Sequence, residues 1–192
     1  MKAVSLGRMD YDGSQLHHAF AYEQAKALGA TICYFRGSAD VKEHLVDLED
    51  SLADDFIKSE EMWHFIIEIP EATITEMVVW QRLFISMCID SLRNTLTDPT
   101  GGYRFNLTRN GDDIMLGDSK LSVSIATLSR FSGLIHVGIN IKVGEECPVD
   151  AKGLVDFIDD EVYSSAFGNL MADAFVKEYD DIKNATFKVI EV

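Results

Sequence analysis

The feature that most constrains the fold is a predicted β-hairpin in the middle of the chain. An apolar run at 114–116 is followed by the turn residues Gly117 and Asp118, and apolar and polar residues then alternate over 121–126. A turn this short makes the two strands antiparallel neighbours. Residues 133–143 alternate in the same way, which predicts a further strand with one buried face.

The rest of the chain mixes strands and helices without a regular βαβ order. A helix is expected between the N-cap Ser14 and Gly29, and the longest one opens at Thr73 after Pro70. The predicted strands are 2–6, 31–35, 62–69, 103–108 and 186–192, the helices are 14–28, 40–56, 73–95 and 160–179, and 97–102 is a loop. This order predicts an α+β fold with a mixed, mainly antiparallel sheet flanked by helices, in a single domain over 1–192.

Composition narrows the class of protein. The 192 residues carry a formal charge of −15 and no cluster of Lys or Arg, which disfavours general binding to nucleic acid or to anionic membranes. No window approaches the roughly 20 apolar residues of a membrane span, and the first residues lack the apolar core of a signal peptide. Cys33, Cys88 and Cys147 are odd in number and widely spaced. We therefore expect free thiols in a reducing compartment and no zinc site. We therefore expect a cytoplasmic protein without general nucleic-acid or membrane binding, and the sequence leaves a small-molecule ligand and homo-oligomerisation open.

The hairpin also places two acids close to one base. Asp112 and Asp113 precede its first strand, and Lys120 opens the second. Cross-strand pairing brings Asp113 and Lys120 within reach when the register puts them on one face. A lysine can bind a carboxylate or phosphate, and acids can bind Mg²⁺. A solvated surface ion pair explains the same pattern without any function.

At these residues the sequence resembles a known superfamily. Asp112-Asp-Ile-Met-Leu-Gly-Asp-Ser-Lys120, followed by Gly138-Ile-Asn-Ile141, is similar to the central motif of the biotin and lipoate protein ligases. Ala151-Lys-Gly-Leu154 is similar to an Ala-Lys-Gly-Ile segment of the lipoate ligases. The segments 10–14, 35–37, 46–50 and 120–125 resemble more closely a mainly archaeal group classed as a domain of unknown function.

The resemblance implies the fold of the ligase catalytic domain, roles for several residues, and ATP and Mg²⁺ as cofactors. Lys120 would be the catalytic cation that meets a substrate carboxylate and the α-phosphate of ATP as an acyl-adenylate forms. Asp113 would hold the metal. The implied ligand-binding residues are Arg36, Asp112, Asp113, Asn140 and Lys152.

Two departures from the ligases support a different class of function. Their loop rich in Gly and Arg is replaced by Arg36-Gly37 and an acidic segment, which removes most of the phosphate-binding groups. Val123 stands where they have a small glycine, so close approach of an adenylate is hindered. The alternative is therefore a binding or interaction protein that keeps the fold without catalysis.

The remaining polar residues have structural and functional interpretations. His17, His18 and His64, with Asp10, Asp12 and Glu68, can form a metal site or serve in capping and packing. His136 is expected on the face of its strand that alternates away from the apolar residues. It can be a structural histidine held by hydrogen bonds or a general base. Arg82 can reach the sheet or a ligand. Asp47, Glu49, Asp50, Asp54 and Asp55 are most simply a solvated helix face, with cation binding as the other interpretation.

Overall fold

The computed structural model describes residues 1–53, 55–95, 105–158 and 161–190. In these ranges the strands are β1 (Lys2–Arg8), β2 (Thr31–Val41), β3 (Ile57–Pro70), β4 (Leu107–Asn110), β5 (Asp113–Leu116), β6 (Ser119–Lys120), β7 (Ser122–Leu128) and β8 (Ser132–Lys142). The helices are α1 (Phe20–Ala25), α2 (Leu48–Ala53), α3 (Ile74–Thr95) and α4 (Glu161–Ala185), and Leu154–Asp156 is a short 3₁₀ turn.

The strands form two sheets, of which the larger has the order β1-β2-β3-β8-β7. β1 runs parallel to β2, and the other neighbouring pairs in this sheet are antiparallel. The smaller sheet has the order β4-β5-β6 and is antiparallel throughout. The predicted α+β architecture with a mixed, mainly antiparallel sheet is confirmed.

The long helices α3 and α4 cover one face of the larger sheet. Phe84 of α3 lies between Phe65 of β3 and Phe175 of α4, with ring centroids 4.9 and 5.1 Å apart. All three rings are fully buried. Aromatic side chains of this size contribute much of the free energy of a core because each removes a large apolar area from water.

The N-terminus of α3 is capped as its sequence predicts. The hydroxyl oxygen of Thr73 accepts a hydrogen bond from the backbone N–H of Glu76 at 3.2 Å, and a Glu76 carboxylate oxygen accepts one from the Thr73 backbone N–H at 2.7 Å. This reciprocal pair satisfies two N–H groups that a helix start leaves without partners.

The opposite face of the larger sheet is also covered. Cys33 and Phe35 of β2 and Ile66 of β3 pack there against Tyr11 and Phe20. Every residue of β8 except its last is consequently buried, so the prediction of a single buried face for 133–143 was wrong. The polar positions of that strand face a second, smaller core and not water.

Two predicted boundaries were wrong because β2 is longer than expected. It continues through Gly37 to Val41, which pairs with Ile57 of β3. A Cβ at position 37 would overlap the carbonyl oxygen of Met9, whose N–H donates to the Arg36 carbonyl, so glycine here allows the segment after β1 to lie close against β2. The predicted helix at 40–56 is reduced to α2, in which the apolar side chains are exposed.

The predictions for two other segments also need correction, and two more segments lie wholly or partly outside the described residues. The predicted helix 14–28 exists only as α1, and Leu28 is exposed. The range 186–190 contains no strand, and residues 191 and 192 lie outside the described ranges, as do the predicted loop 97–102 and the start of the strand at 103–108. No helix in the described ranges is long and apolar enough to cross a membrane.

Candidate functional site: a cavity beside Lys120

The hairpin brings Lys120 and Asp113 together. Asp113 begins β5, Lys120 ends β6, and Lys120 pairs with Met115 across the ladder. The ammonium nitrogen of Lys120 lies 3.0 Å from a carboxylate oxygen of Asp113, so the predicted proximity of these side chains is confirmed. About 40% of the Lys120 side chain is exposed, which leaves N–H donors available to a ligand.

The backbone of Lys120 is fixed on its other side by the segment that follows β8. Its N–H donates to the carbonyl of Asp150, and its own carbonyl accepts from the N–H of Lys152, both at 2.9 Å. Position 120 thus pairs with Ala151 in a short parallel bridge. The segment Ala151-Lys-Gly-Leu154, singled out by the sequence, therefore supports the lysine through the main chain.

The carboxylate of Asp112 is held by its neighbours. One oxygen accepts hydrogen bonds from the Gln81 amide and the Ser124 hydroxyl, each at 3.0 Å. The other oxygen lies 3.3 Å from Arg82 in an ionic contact without hydrogen-bond geometry. Gln81 and Arg82 belong to α3, so Asp112 ties the hairpin to that helix, and the prediction that Arg82 can reach the sheet is confirmed.

A cavity of about 240 Å³ opens beside these residues. Asp112, Asp113 and Lys120 form one wall, and the segment that follows β2 forms another. Tyr11 and His136, both more than nine-tenths buried, also line it.

The second wall is acidic, and its carboxylates stay half-buried or exposed, as the interpretation of a solvated helix face expects. Asp47, Glu49 and Asp50 line the cavity, whereas Asp54 lies outside the described residues. Burial raises the pKa of Asp50, and the nearby charges of Asp47 and Asp55 raise it further, while Lys120 acts in the opposite direction. The segment thus contributes negative charge to the site.

A second cavity of about 100 Å³ adjoins the first. Lys120, Val123 and Asp50 line both of them. Asn140 lines the smaller one, and its side-chain oxygen accepts a hydrogen bond from Ser59 at 3.0 Å. The lysine therefore stands where the two cavities meet.

Two residues that the resemblance implied in ligand binding lie elsewhere. Arg36 is on the face of the sheet that the long helices cover, where it forms an ion pair with Glu61 at 2.9 Å and lies over the ring of Trp63. Lys152 is exposed and is not among the described residues that line either cavity. The structure thus unites Asp112, Asp113, Lys120 and Asn140 and leaves out Arg36 and Lys152.

Two buried histidines and a tyrosine form a stack at the larger cavity. The rings of Tyr11 and His136 are parallel, with centroids 3.9 Å apart, and Nδ1 of His64 lies 3.1 Å from Nε2 of His136. Burial lowers the pKa of His64 to about 4 and also lowers the pKa of His136, which His64 lowers further. Both rings are therefore neutral at pH 7. The position of Tyr11 could not be found from the sequence, where it is one residue of a turn.

The other candidate histidines have structural partners. Nδ1 of His18 lies 2.8 Å from a carboxylate oxygen of Glu68, which also accepts from the Ser132 hydroxyl, and His17 contacts the carbonyl of His18. Within the described ranges, no three His, Cys, Asp or Glu side chains are grouped so that they could hold a metal ion. A metal role for Asp113 stays a prediction.

The lining fits ATP with Mg²⁺ poorly. Among the described residues of the larger cavity, Lys120 is the only lysine or arginine, against the carboxylates of Asp47, Glu49, Asp50, Asp112 and Asp113. The negative carboxylates repel a negatively charged polyphosphate. The described lining also contains no glycine, whose backbone N–H groups could surround the phosphates.

Comparison with known protein families identifies the family of this chain. The family model described as "Domain of unknown function (DUF366)" matches residues 1–190. The chain belongs to the DUF366 family. An uncharacterized protein of Methanocaldococcus jannaschii is 30% identical over 141 residues, and the chain spans 60% of the length of that relative. A protein of unknown function from Pyrococcus horikoshi is 34% identical, with a TM-score of 0.86 and complete coverage of both chains.

More distant structures share the fold of this DUF366 protein. The biotin acetyl coenzyme A carboxylase synthetase of Helicobacter pylori with bound biotinylated ATP has a TM-score of 0.55 and 8% identity, with 94% of this chain and 74% of that chain covered. A T. acidophilum protein assigned as a lipoate protein ligase, with bound lipoic acid, has a TM-score of 0.52 and 13% identity, covering 94% and 85%. At these identities the likeness shows the biotin/lipoate ligase fold alone.

Proposed function

We propose that the chain binds a small carboxylic acid or acyl compound in the larger cavity, with the ammonium group of Lys120 as the partner of its carboxylate. The observation that carries this proposal is the position of Lys120. Its side chain is half-exposed where two cavities meet, and its backbone is held from both sides. A hydrogen bond between an ammonium and a carboxylate is about twice as strong as one between neutral groups, so this contact would orient the ligand.

The neighbours of Lys120 support the same role. Asp113 accepts one contact at 3.0 Å and holds the flexible lysine side chain on the cavity side of the hairpin. The three N–H donors of an ammonium group leave two for a ligand. Asp112 anchors the start of the hairpin to α3 through Gln81 and positions the lysine indirectly. Biotin and lipoic acid, bound in the distant structures of this fold, are both carboxylic acids.

The test is a thermal-shift and calorimetric titration with biotin, lipoate and unbranched acids of four to ten carbons. A ligand at 100 times its Kd should add roughly 2.7 kcal/mol to the free energy of unfolding. Lys120→Ala should abolish the shift. Lys152→Ala is the matched control, because it removes an exposed lysine whose backbone N–H bonds to Lys120 but whose side chain lines neither cavity. The proposal fails if no acid stabilises the protein, or if Lys120→Ala responds as the wild type does.

A second candidate is an ATP-dependent ligase that forms an acyl-adenylate. The observation in its favour is that Lys120 lines two adjoining cavities, as a group that contacts both an acid and a nucleotide must. The acidic lining argues against it. Acid-dependent release of pyrophosphate from ATP and Mg²⁺ that disappears in Lys120→Ala would establish this candidate, and the absence of release with an acid that binds would leave the non-catalytic binding role.

A further inference from the structure

The larger cavity carries more negative charge than a simple carboxylic acid would require. Five carboxylates line it. Asp113 pairs with Lys120 and Asp112 with Arg82, which leaves Asp47, Glu49 and Asp50 without an ion pair among the described residues. A plain monocarboxylate would add another negative charge to this enclosure. Because electrostatic complementarity decides which ligands a cavity admits, the remaining carboxylates call for a positive group on the ligand.

The buried stack at the cavity supplies an independent observation. The ring of His136 is only 2% exposed and Tyr11 only 4%, yet both line the cavity. Within the described ranges, neither the Tyr11 hydroxyl nor Nδ1 of His136 has a hydrogen-bond partner. The two residues are almost wholly buried yet line the cavity, so a polar group that enters the cavity can bond to these atoms.

The hydrogen bonds of the stack determine which group His136 offers. Nε2 of His64 lies 3.3 Å from the carbonyl oxygen of Gly37, which can only accept, so this nitrogen carries the proton. In a neutral ring Nδ1 of His64 is then an acceptor, and Nε2 of His136 must donate to it. His136 is therefore left with a lone pair on Nδ1. A ligand at this position must bring an N–H or O–H donor.

Positive charge and several N–H donors occur together in an ammonium group. We infer that the cavity takes a small amino-carboxylic acid, with its carboxylate at Lys120 and its ammonium among Asp47, Asp50 and the polar atoms of His136 and Tyr11. The carboxylate half of this inference rests on the proposed function, whereas the ammonium half rests on the acidic wall and the stack. A volume of about 240 Å³ leaves room for a molecule of this size.

The inference is tested by calorimetric titration at pH 7 with the standard amino acids and the unbranched ω-amino acids of two to eight carbons. Each binder is compared with the same acid without its amine and the same amine without its carboxylate. We expect the amino acid to bind at least about tenfold more tightly than either fragment. Asp47→Asn and Asp50→Asn should each weaken its binding by about tenfold without weakening that of the deaminated acid. Asp118→Asn, which removes an exposed carboxylate from the same hairpin, is the control and should change neither.

The outcomes separate this inference from the proposed function. If a plain acid binds as tightly as its amino counterpart and Lys120→Ala abolishes both, the carboxylate site stands and the amino-carboxylic acid is overturned. If only the amine fragment matters and Lys120→Ala has no effect, both ideas are overturned. Asparagine variants that bind the amino acid like the wild type, with circular dichroism showing them folded, would also sink the assignment of the ammonium to the acidic wall.

Discussion

Mild acid should destabilise this protein through the buried His64. Its pKa is lowered from 6.5 to about 4 because its ring is fully buried, so the folded protein keeps it neutral under conditions where the unfolded chain protonates it. The unfolded state then binds more protons, and the free energy of unfolding falls as the pH drops through 6.5 and on towards 4. Above 6.5 the ring is neutral in both states and contributes no pH dependence.

The size of the effect follows from the two pKa values. Each unit of difference corresponds to about 1.4 kcal/mol, so lowering the pH from about 7 to about 5 should remove about 2 kcal/mol through His64 alone. The pKa of His136 is lowered in the same direction and adds to the loss. A protein of this kind has a total stability of about 5–15 kcal/mol, so the change is readily measured.

The assay is urea unfolding followed by tryptophan fluorescence at several pH values between 7 and 5. His64→Gln should show a shallower dependence on pH than the wild type. His44→Gln is the control, because it removes an exposed histidine instead of a buried one. Both variants keep every carboxylate, so the carboxylates affect the two slopes equally. The reasoning is refuted if the wild type loses no stability between pH 7 and pH 5, or if His64→Gln and His44→Gln give the same slope.

Three further substitutions test the fold by their effect on urea unfolding. Gly37→Ala should cost about 3 kcal/mol because its Cβ would overlap the carbonyl oxygen of Met9, whereas Gly144→Ala, with no heavy atom nearer than 3.5 Å, should cost little; equal losses would contradict this. Thr73→Ala removes the cap of α3 and should cost about 1 kcal/mol, and an unchanged stability would show that the cap is dispensable. Phe84→Ala should cost about 3–5 kcal/mol, since it empties the centre of the aromatic core, and a loss below about 1 kcal/mol would mean that the core refills.

Local sequence patterns predicted the structure correctly where residues close together in the chain determine it. The turn at Gly117 predicted the hairpin of β5 and β6, and Thr73 predicted the start of α3, because turns and caps depend on residues a few positions apart. The alternating residues 121–126, expected in the same hairpin, lie mainly in β7, which pairs with β8 in the larger sheet. The same hairpin gave the contact between Asp113 and Lys120. These are the parts of the fold and the site that the sequence can specify without knowledge of distant contacts.

The wrong predictions concern segments whose structure depends on distant partners. The apolar residues from Val41 onward have helical spacing, yet Val41 belongs to β2 because Ile57 pairs with it. The acidic residues after it satisfy the pattern of a solvated face, and only the packing of that segment beside the hairpin turns Asp47 and Asp50 towards the cavity. His136 likewise required knowledge of what covers the second face of the sheet.

The attachment of Lys120 has a consequence for how tightly any ligand can be held. Its main chain is bonded to β5 on one side and to Asp150 and Lys152 on the other. Ordering the backbone of one residue costs about 1–2 kcal/mol in conformational entropy. The backbone of Lys120 is already ordered before a ligand binds, so binding does not add this cost. Binding at the ammonium group therefore restricts only side-chain rotamers, so even a small ligand with few contacts can be bound measurably at this position.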